Sequence, residues 1–250
     1  MKLYEPSIFA WNIEDTDTIA FTGTDSAQFA VDNDRETIIR STTANPSLTL
    51  TLASGKTHTA SSLWVKVVGY TNVEIIADTV SLATVTIPTT GTYAGYAYQE
   101  FTETTARRWV LRFTGTGGIW EAYLQKQILD FNTDNQRPQK CETLDIPGIF
   151  YRSKGGVLLH YNTFSFSGGA ATISMEWEAL DPDSTELLLN AWRSGAPRSR
   201  EVGVYPKPDY EPDFFYQAKW VSNFAFVPAA EAVEDVYAGS AVFEELPNRL

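Results

Sequence analysis

Apolar and polar residues alternate with a period of two through most of this 250-residue chain, and that constrains the fold more than any other feature. Successive side chains of a strand point to opposite faces, so this pattern buries one face and wets the other, whereas an amphipathic helix needs a period near 3.6. In Ser47–Leu52, Leu48, Leu50 and Leu52 share one face while Ser47, Thr49 and Thr51 take the other. Arg108–Phe113 sets Trp109, Leu111 and Phe113 inward and Arg108, Val110 and Arg112 outward. Leu63–Tyr70 and Val73–Ala77 are expected as two strands broken near Gly69. Gly115, Gly117 and Gly118 are expected as a turn before a further extended stretch at Ile119–Ile128.

Past the midpoint the pattern is mixed. Gly156–Phe166 and Ala171–Ala179 flank Gly168-Gly169 and predict a hairpin, with Ile173, Met175 and Trp177 on one face and Ser174, Glu176 and Glu178 on the other. One helix is predicted after them. Asp181 is a good N-cap, Pro182 suits the first helical position, Asp183 and Glu186 favour the positive end of the helix dipole, and Gly195 can end it. Leu187, Leu188 and Trp192 are expected to form its buried stripe. Phe214–Val227 predicts a long strand grouping Phe214, Tyr216, Ala218, Trp220, Phe224 and Phe226, and Val236–Leu246 closes the chain.

Threonine divides the chain, with 23 in residues 1–120 and 5 in 121–250. The hydroxyl-rich, β-branched first half suits solvated strands. The polar stretch Asp130–Lys140 is the natural bridge, which gives domains at 1–129 and 143–250 with a linker at 130–142. The expected class is mainly β: an N-terminal jelly-roll β-sandwich plus a C-terminal β-sandwich or barrel with one α-helix.

Charge and composition exclude several functions. The net charge is −12 with no basic stripe, which argues against nucleic-acid binding because phosphate contacts need clustered Lys and Arg. No apolar run approaches the roughly 18 residues needed for insertion into a membrane. The N-terminal Met1–Pro6 carries Glu5 and Pro6 where a secretory signal would place its apolar run, so export by that route is not expected. A single cysteine, Cys141, and two distant histidines, His58 and His160, give neither a disulfide framework nor zinc-ligand spacing.

Residues 5–128 resemble the discoidin, or coagulation-factor type C, jelly roll that bacterial carbohydrate-binding modules also use. The resemblance rests on Asp32-Asn33-Asp34-Arg35-Glu36-Thr37, the Leu48–Leu52 strand, Ala106–Phe113 and Ile119-Trp120-Glu121-Ala122-Tyr123. Ile39 stands where an aromatic is usual, and Asn33 where a glycine often follows the first aspartate. This resemblance implies a structural Ca²⁺ held by Asp32, Asp34, Thr37 and Glu121, hard oxygen donors of the kind that ion takes. The plainer alternative is that Asp32 and Asp34 cap an Asx-type turn and that Glu121 is a solvated strand residue.

Residues 143–250 are similar in layout to the distal-tail and minor-tail proteins of long-tailed phages, whose members stack as rings. The shared features are Met175–Leu180 running straight into a helix, Pro206 and Pro208 beyond it, the long aromatic strand, and the ending Tyr237–Leu246.

A glycan site needs an aromatic platform beside carboxylate, amide or guanidinium groups, because sugar rings present apolar C–H faces and paired hydroxyls. Tyr93, Tyr96 and Tyr98, with Arg107 and Glu100 nearby in sequence, supply those types, and Trp11 and Trp64 serve equally well. By alternation Trp64 faces away from Leu63, Val65 and Val67, so it is either covered by another layer or exposed. Tyrosines packed in strands are the alternative reading of the first group.

Enzymatic signatures are weak. Glu176 and Glu178 on one strand face are ordinary solubility residues, His160 lies among apolar neighbours, and no Gly-x-Ser-x-Gly elbow occurs. The expectation is therefore a non-enzymatic component of a phage tail tip or baseplate, assembled in the host cytoplasm. It would form a ring homo-oligomer with itself and other tail proteins and carry a domain that aids attachment to a host surface glycan. The alternative is a carbohydrate-binding module protein of a glycan-degrading system. No cofactor beyond Ca²⁺ is expected.

Overall fold

The computed structural model describes residues 2–5, 18–23, 25, 38–91, 94–130, 140–145, 149–152, 158–161, 171–194, 201–205, 216–228 and 236–245. Its strands are β1 (Lys2–Tyr4), β2 (Thr18–Phe21), β3 (Ile39–Ser41), β4 (Ser47–Thr51), β5 (His58–Ala77), β6 (Val80–Thr86), β7 (Tyr96–Ala106), β8 (Arg108–Gln125) and β9 (Gln127–Asp130). They continue as β10 (Lys140–Asp145), β11 (Ile149–Arg152), β12 (Leu158–Tyr161), β13 (Ala171–Leu180), β14 (Glu201–Tyr205), β15 (Tyr216–Trp220), β16 (Val227–Pro228) and β17 (Tyr237–Glu245). One helix, α1 (Pro182–Ser194), stands among the described residues, and it is not long and apolar enough to cross a membrane. The protein is mainly β, a β-sandwich fold plus a single helix.

Two compact units divide the chain. One gathers Lys2–Ile128 with Gly203–Phe215, and the other Leu129–Val202 with Tyr216–Pro247. The segment 203–215 thus belongs with the N-terminal residues although it lies far along the chain.

In the first unit a sheet runs β2–β4–β8–β5–β6, with β3 also on β8 and β7 also on β5. The expected break at Gly69 and the expected turn at Gly115–Gly118 are both replaced by continuous strands: β5 is 20 residues long and β8 is 18. Their pairing slips instead, between Lys66/Val67, Val68/Tyr70 and Tyr70/Asn72. The glycines permit this. Gly69 has φ +81° and Gly115 φ +107°, both in the left-handed region. A Cβ at Gly117 would lie 1.9 Å from the Val68 carbonyl oxygen, and one at Gly69 would lie 2.5 Å from that of Thr116. The two backbones touch where side chains would have kept them apart, so each strand bulges and carries on.

Both halves of the two long strands therefore feed one core. Leu63, Val65 and Val67 from the first half of β5 join Val73 and Ile75 from the second, with Leu48, Leu50, Trp109, Leu111, Phe113 and Leu124. Trp64 points the other way, as alternation requires, and is buried there. Its cover comes from β1 paired antiparallel with β14, in the register Lys2↔Tyr205, Leu3↔Val204 and Tyr4↔Gly203. Tyr4 and Tyr205 pack with Trp64 and Tyr123 in a second buried cluster, against which Tyr96 and Tyr98 lie.

In the second unit β10, β13, β17 and β15 pair in that order, antiparallel, with β16 also on β17. The turn of the expected hairpin at Gly168-Gly169 lies outside the described residues; of the described parts of its arms, β12 pairs with β11, while β13 is held between β10 and β17. Adjacency in sequence suggested one pairing and long-range packing chose another. Ile173, Met175 and Trp177 are buried, as alternation places them, and Glu176 and Glu178 are exposed. The strand expected over Phe214–Val227 stops at Trp220, although its aromatics still meet: ring centroids are 6.2 Å apart for Trp220–Phe224 and 4.8 Å for Phe224–Phe226.

Helix α1 begins as expected. The Ser184 amide donates to Asp181 Oδ1 at 2.8 Å and the Ser184 hydroxyl donates to Oδ2 at 2.7 Å. Its stripe differs from expectation, because Leu188 is buried but Leu187 is 46% exposed. Neighbouring positions lie about 100° apart on a helix, and here Leu188 takes the core side while Leu187 sits at its edge.

Candidate functional site

Trp120 owes its position to a slip in the ladder. Lys66 pairs with Glu121 and Val67 with Ile119, which leaves Trp120 as the extra residue of a bulge in β8. Bulges re-aim a side chain and leave it outside the regular in-and-out alternation. The burial pattern records this, since Phe113 and Ile119 face the core at odd positions and Ala122 and Leu124 at even ones. Trp120 sits where the phase flips and is half-buried.

Beside it lies a groove of about 610 Å³, lined by Ile38, Arg40, Ser41, Thr42, Val68 and Thr116 along with Gly117, Gly118 and Trp120. That volume falls within the range of small-molecule sites. Each wall has a local cause. β3 pairs with β8 as Arg40↔Gly118 and Ser41↔Gly117, which brings Arg40 to the rim. The Arg40 amide donates to Asp25 Oδ2 at 2.7 Å. The Ser41 hydroxyl accepts from the Thr43 amide at 3.1 Å and donates to the Thr43 carbonyl at 2.9 Å, which closes the turn after β3. A Cβ at Gly118 would lie 2.4 Å from Ile38 Cδ1, so glycine there lets Ile38 close one end.

A cation spans the aromatics. Lys66 Nζ lies 5.4 Å from the Trp120 ring centroid and 5.7 Å from that of Tyr96, both within cation–π range. Trp64 stacks on Tyr123 at 5.3 Å and tilts on Tyr96 at 6.0 Å, so the buried cluster supports Tyr96 from behind. The groove thus offers an indole face, a guanidinium and hydroxyls at one place, with the Lys66 ammonium held on the same indole. Neutral polyols with apolar ring faces match such a surface.

The residues singled out from the sequence separate. Tyr96 and Tyr98 are in β7 rather than between strands. Tyr96 packs on Trp64 and under the Lys66 ammonium, but Tyr98 turns into a polar network: its hydroxyl lies 2.5 Å from that of Tyr4 and donates to Glu100 Oε1 at 2.6 Å, and Lys2 Nζ pairs with the same carboxylate. Burial is the largest of several causes that push the Tyr98 phenol far above its ordinary pKa. Burial also raises Glu100, but the hydrogen bonds from Lys2 and Tyr98 outweigh it and hold this carboxyl below its usual value. Arg107 follows the last residue of β7, about 36 Å of strand from Tyr96 at roughly 3.3 Å per residue, and donates from Nε to the Leu52 carbonyl at 2.9 Å. Tyr96 and Tyr98 are not brought together with Arg107.

Of the implied calcium ligands, Glu121 is wholly buried instead of solvated, and Asp32, Asp34 and Thr37 lie outside the described residues. So do Tyr93 and Trp11 and the side chains of Cys141 and His160. Among the described residues, no group of three or more His, Cys, Asp or Glu is placed to hold a metal ion. Sequence reasoning missed Trp120, Arg40 and Lys66 as a group. The available signal was the odd-to-even switch of inward residues on either side of Trp120.

No protein-family model matches the chain, and no curated protein does. Among solved structures it is similar to the family 32 carbohydrate-binding module of Clostridium perfringens NanJ in complex with galactose, at 19% identity and TM-score 0.38, over 48% of this chain and 98% of that one. It is similar also to chitosan-binding module 1 from a chitosanase/glucanase of Paenibacillus sp. IK-5, at 17% identity and TM-score 0.37, over 48% and 99%. A third is the family 32 module of AlyQ in complex with 4,5-unsaturated mannuronic acid, at 16% identity and TM-score 0.33, over 43% and 92%.

Proposed function

We propose that the N-terminal unit is a carbohydrate-binding module whose site is the Trp120 groove. The observation that carries the proposal is the bulge at Trp120, which sets an indole, itself in cation–π contact with Lys66, beside Arg40 and a row of hydroxyls in a groove of about 610 Å³. A sugar ring would lay its C–H face on Trp120 while its hydroxyls bond Arg40, Ser41 and Thr42. Calorimetric titration with galactose, N-acetylgalactosamine and chitosan oligomers tests this. Binding to at least one of them that disappears in Trp120→Ala, with the melting temperature kept, supports the reading; binding unchanged in that variant overturns it.

The structural calcium belongs to the same reading. Its support is the wholly buried Glu121 carboxylate, an oxygen donor of the hard type that calcium takes. Asp32, Asp34 and Thr37 would complete the ligand set. Thermal unfolding in calcium against chelator is the check, and equal midpoints would remove the ion.

The phage-tail reading of the C-terminal unit, as a ring-forming tail or baseplate component of a virion, is a second proposal. It rests on the layout of residues 143–250 and on exposed Leu187, Val221 and Val227, at 46%, 42% and 61%. Groove geometry favours the sugar-binding reading over it. Light scattering of the purified chain decides: a ring supports assembly with itself, and a monomer at all concentrations removes the homo-oligomer.

A further inference from the structure

We propose a second, separate ligand site in this unit, for an acidic saccharide of the uronic-acid class, on the outer face of β4, β8, β5 and β6. The strand register builds it in rows. Ser47, Arg112 and Glu74 lie side by side in one row, and Thr49, Val110 and Ile76 in the next; Arg108 lies beyond them, paired with Thr51 on one side and accepting from the Asp78 amide on the other. Between the rows is a groove of about 370 Å³. Val110 and Ile76, 4% and 8% exposed, form an apolar floor.

The two ends of the groove differ in how their charges are satisfied. Arg112 is committed, donating to Glu74 Oε2 at 2.8 Å. Arg108 is not: its backbone amide donates to Asp78 Oδ1 at 2.9 Å, and its guanidinium, exposed at the groove, makes no hydrogen bond or ion pair among the described residues. Asp78 holds φ +52°, a turn conformation that keeps its carboxylate at this end. A guanidinium presents a planar fork that matches a carboxylate with two parallel hydrogen bonds. The groove is lined by hydroxyls from Thr49, Thr79 and Ser81 and by the carboxylates of Asp78 and Glu74, which accept hydrogen bonds from sugar hydroxyls. From Arg108 to Arg112 is about 13 Å of strand at roughly 3.3 Å per residue, longer than one sugar ring. The ligand is therefore a short chain bearing a carboxylate at the Arg108 end. None of these residues lines the Trp120 groove.

The test is titration of the full chain with α-1,4-linked trigalacturonate and, as the uncharged control, maltotriose, followed by calorimetry and by amide shifts of Thr49, Arg108 and Val110. Trigalacturonate is expected to bind, to move those amides, and to weaken about tenfold or more in Arg108→Gln, the loss of one charged bidentate contact. Arg108→Lys should recover only part of that, and Trp120→Ala should leave it unchanged. No binding at millimolar trigalacturonate overturns the proposal, as does equal binding of maltotriose. Binding that survives Arg108→Gln but fails in Trp120→Ala also overturns it and assigns the acidic sugar to the Trp120 groove. Arg108 is exposed, so a matching urea midpoint for Arg108→Gln confirms that a loss of binding is not a loss of fold.

Discussion

Tyr4 and Tyr98, 94 residues apart in sequence, meet hydroxyl to hydroxyl at 2.5 Å over the face of the N-terminal sheet that carries Trp64. The contact joins the first strand of the chain to β7, and Lys2 and Glu100 extend it into a chain of polar groups that bond one another. A hydroxyl under an aromatic layer must have a partner, because burying it unpaired costs on the order of 1–3 kcal/mol.

Tyr98→Phe keeps the ring and removes the link, leaving the wholly buried Tyr4 hydroxyl without this partner. A loss of about 1–3 kcal/mol in urea-unfolding stability is expected. A change below a few tenths would mean that Tyr4 finds another partner at no cost.

Glu100 makes the same network sensitive to acid. Its folded carboxyl titrates below the ordinary value, so its contribution is present above about pH 4.5 and is lost as pH falls through the depressed value. Below pH 4.5 the unfolding midpoint should drop more steeply in the wild type than in Glu100→Gln. Parallel curves would show that the carboxylate adds nothing.

His58 acts in a higher window. Burial lowers its pKa from 6.5 to about 4, and its Nε2 is buried with no hydrogen-bond partner. The unfolded chain takes up a proton below pH 6.5 while the folded one does not until about pH 4. Stability should therefore decline between those limits, by at most about 3 kcal/mol. His58→Leu should flatten that part of the pH profile, and an unaltered slope would place the titration elsewhere.

Gly117→Ala tests the bulge that sets Trp120. The added Cβ meets the Val68 carbonyl, a backbone atom that cannot swing aside. A loss of roughly 2–4 kcal/mol is expected, with a shift in tryptophan emission. Full stability would mean that β5 and β8 can separate there freely.

Asp181→Ala removes the oxygens that take the Ser184 amide and hydroxyl at the start of α1. It should cost about 1 kcal/mol. Asp181→Asn should recover most of that, and equal losses in both variants would point to the charge rather than the cap.

By itself the amino-acid sequence determined which side of each strand is buried and where the helix starts. Leu48, Leu50, Trp109, Leu111 and Phe113 go inward, and Asp181 caps α1, because both rules act within a few residues. Tertiary structure alone decided what the glycines do, what covers Trp64 and where the groove lies. Gly69 and Gly117 look like turn residues until β5 and β8 are seen to press their backbones together at those positions. Nothing near Trp64 in sequence says that Tyr4 and Tyr205 will lie over it, because the two come from opposite ends of the chain and meet only through β1 and β14. Strand pairing joins residues whose separation no local pattern records, and a one-residue slip in that pairing is what turned Trp120 from a rung of the ladder into the wall of a groove.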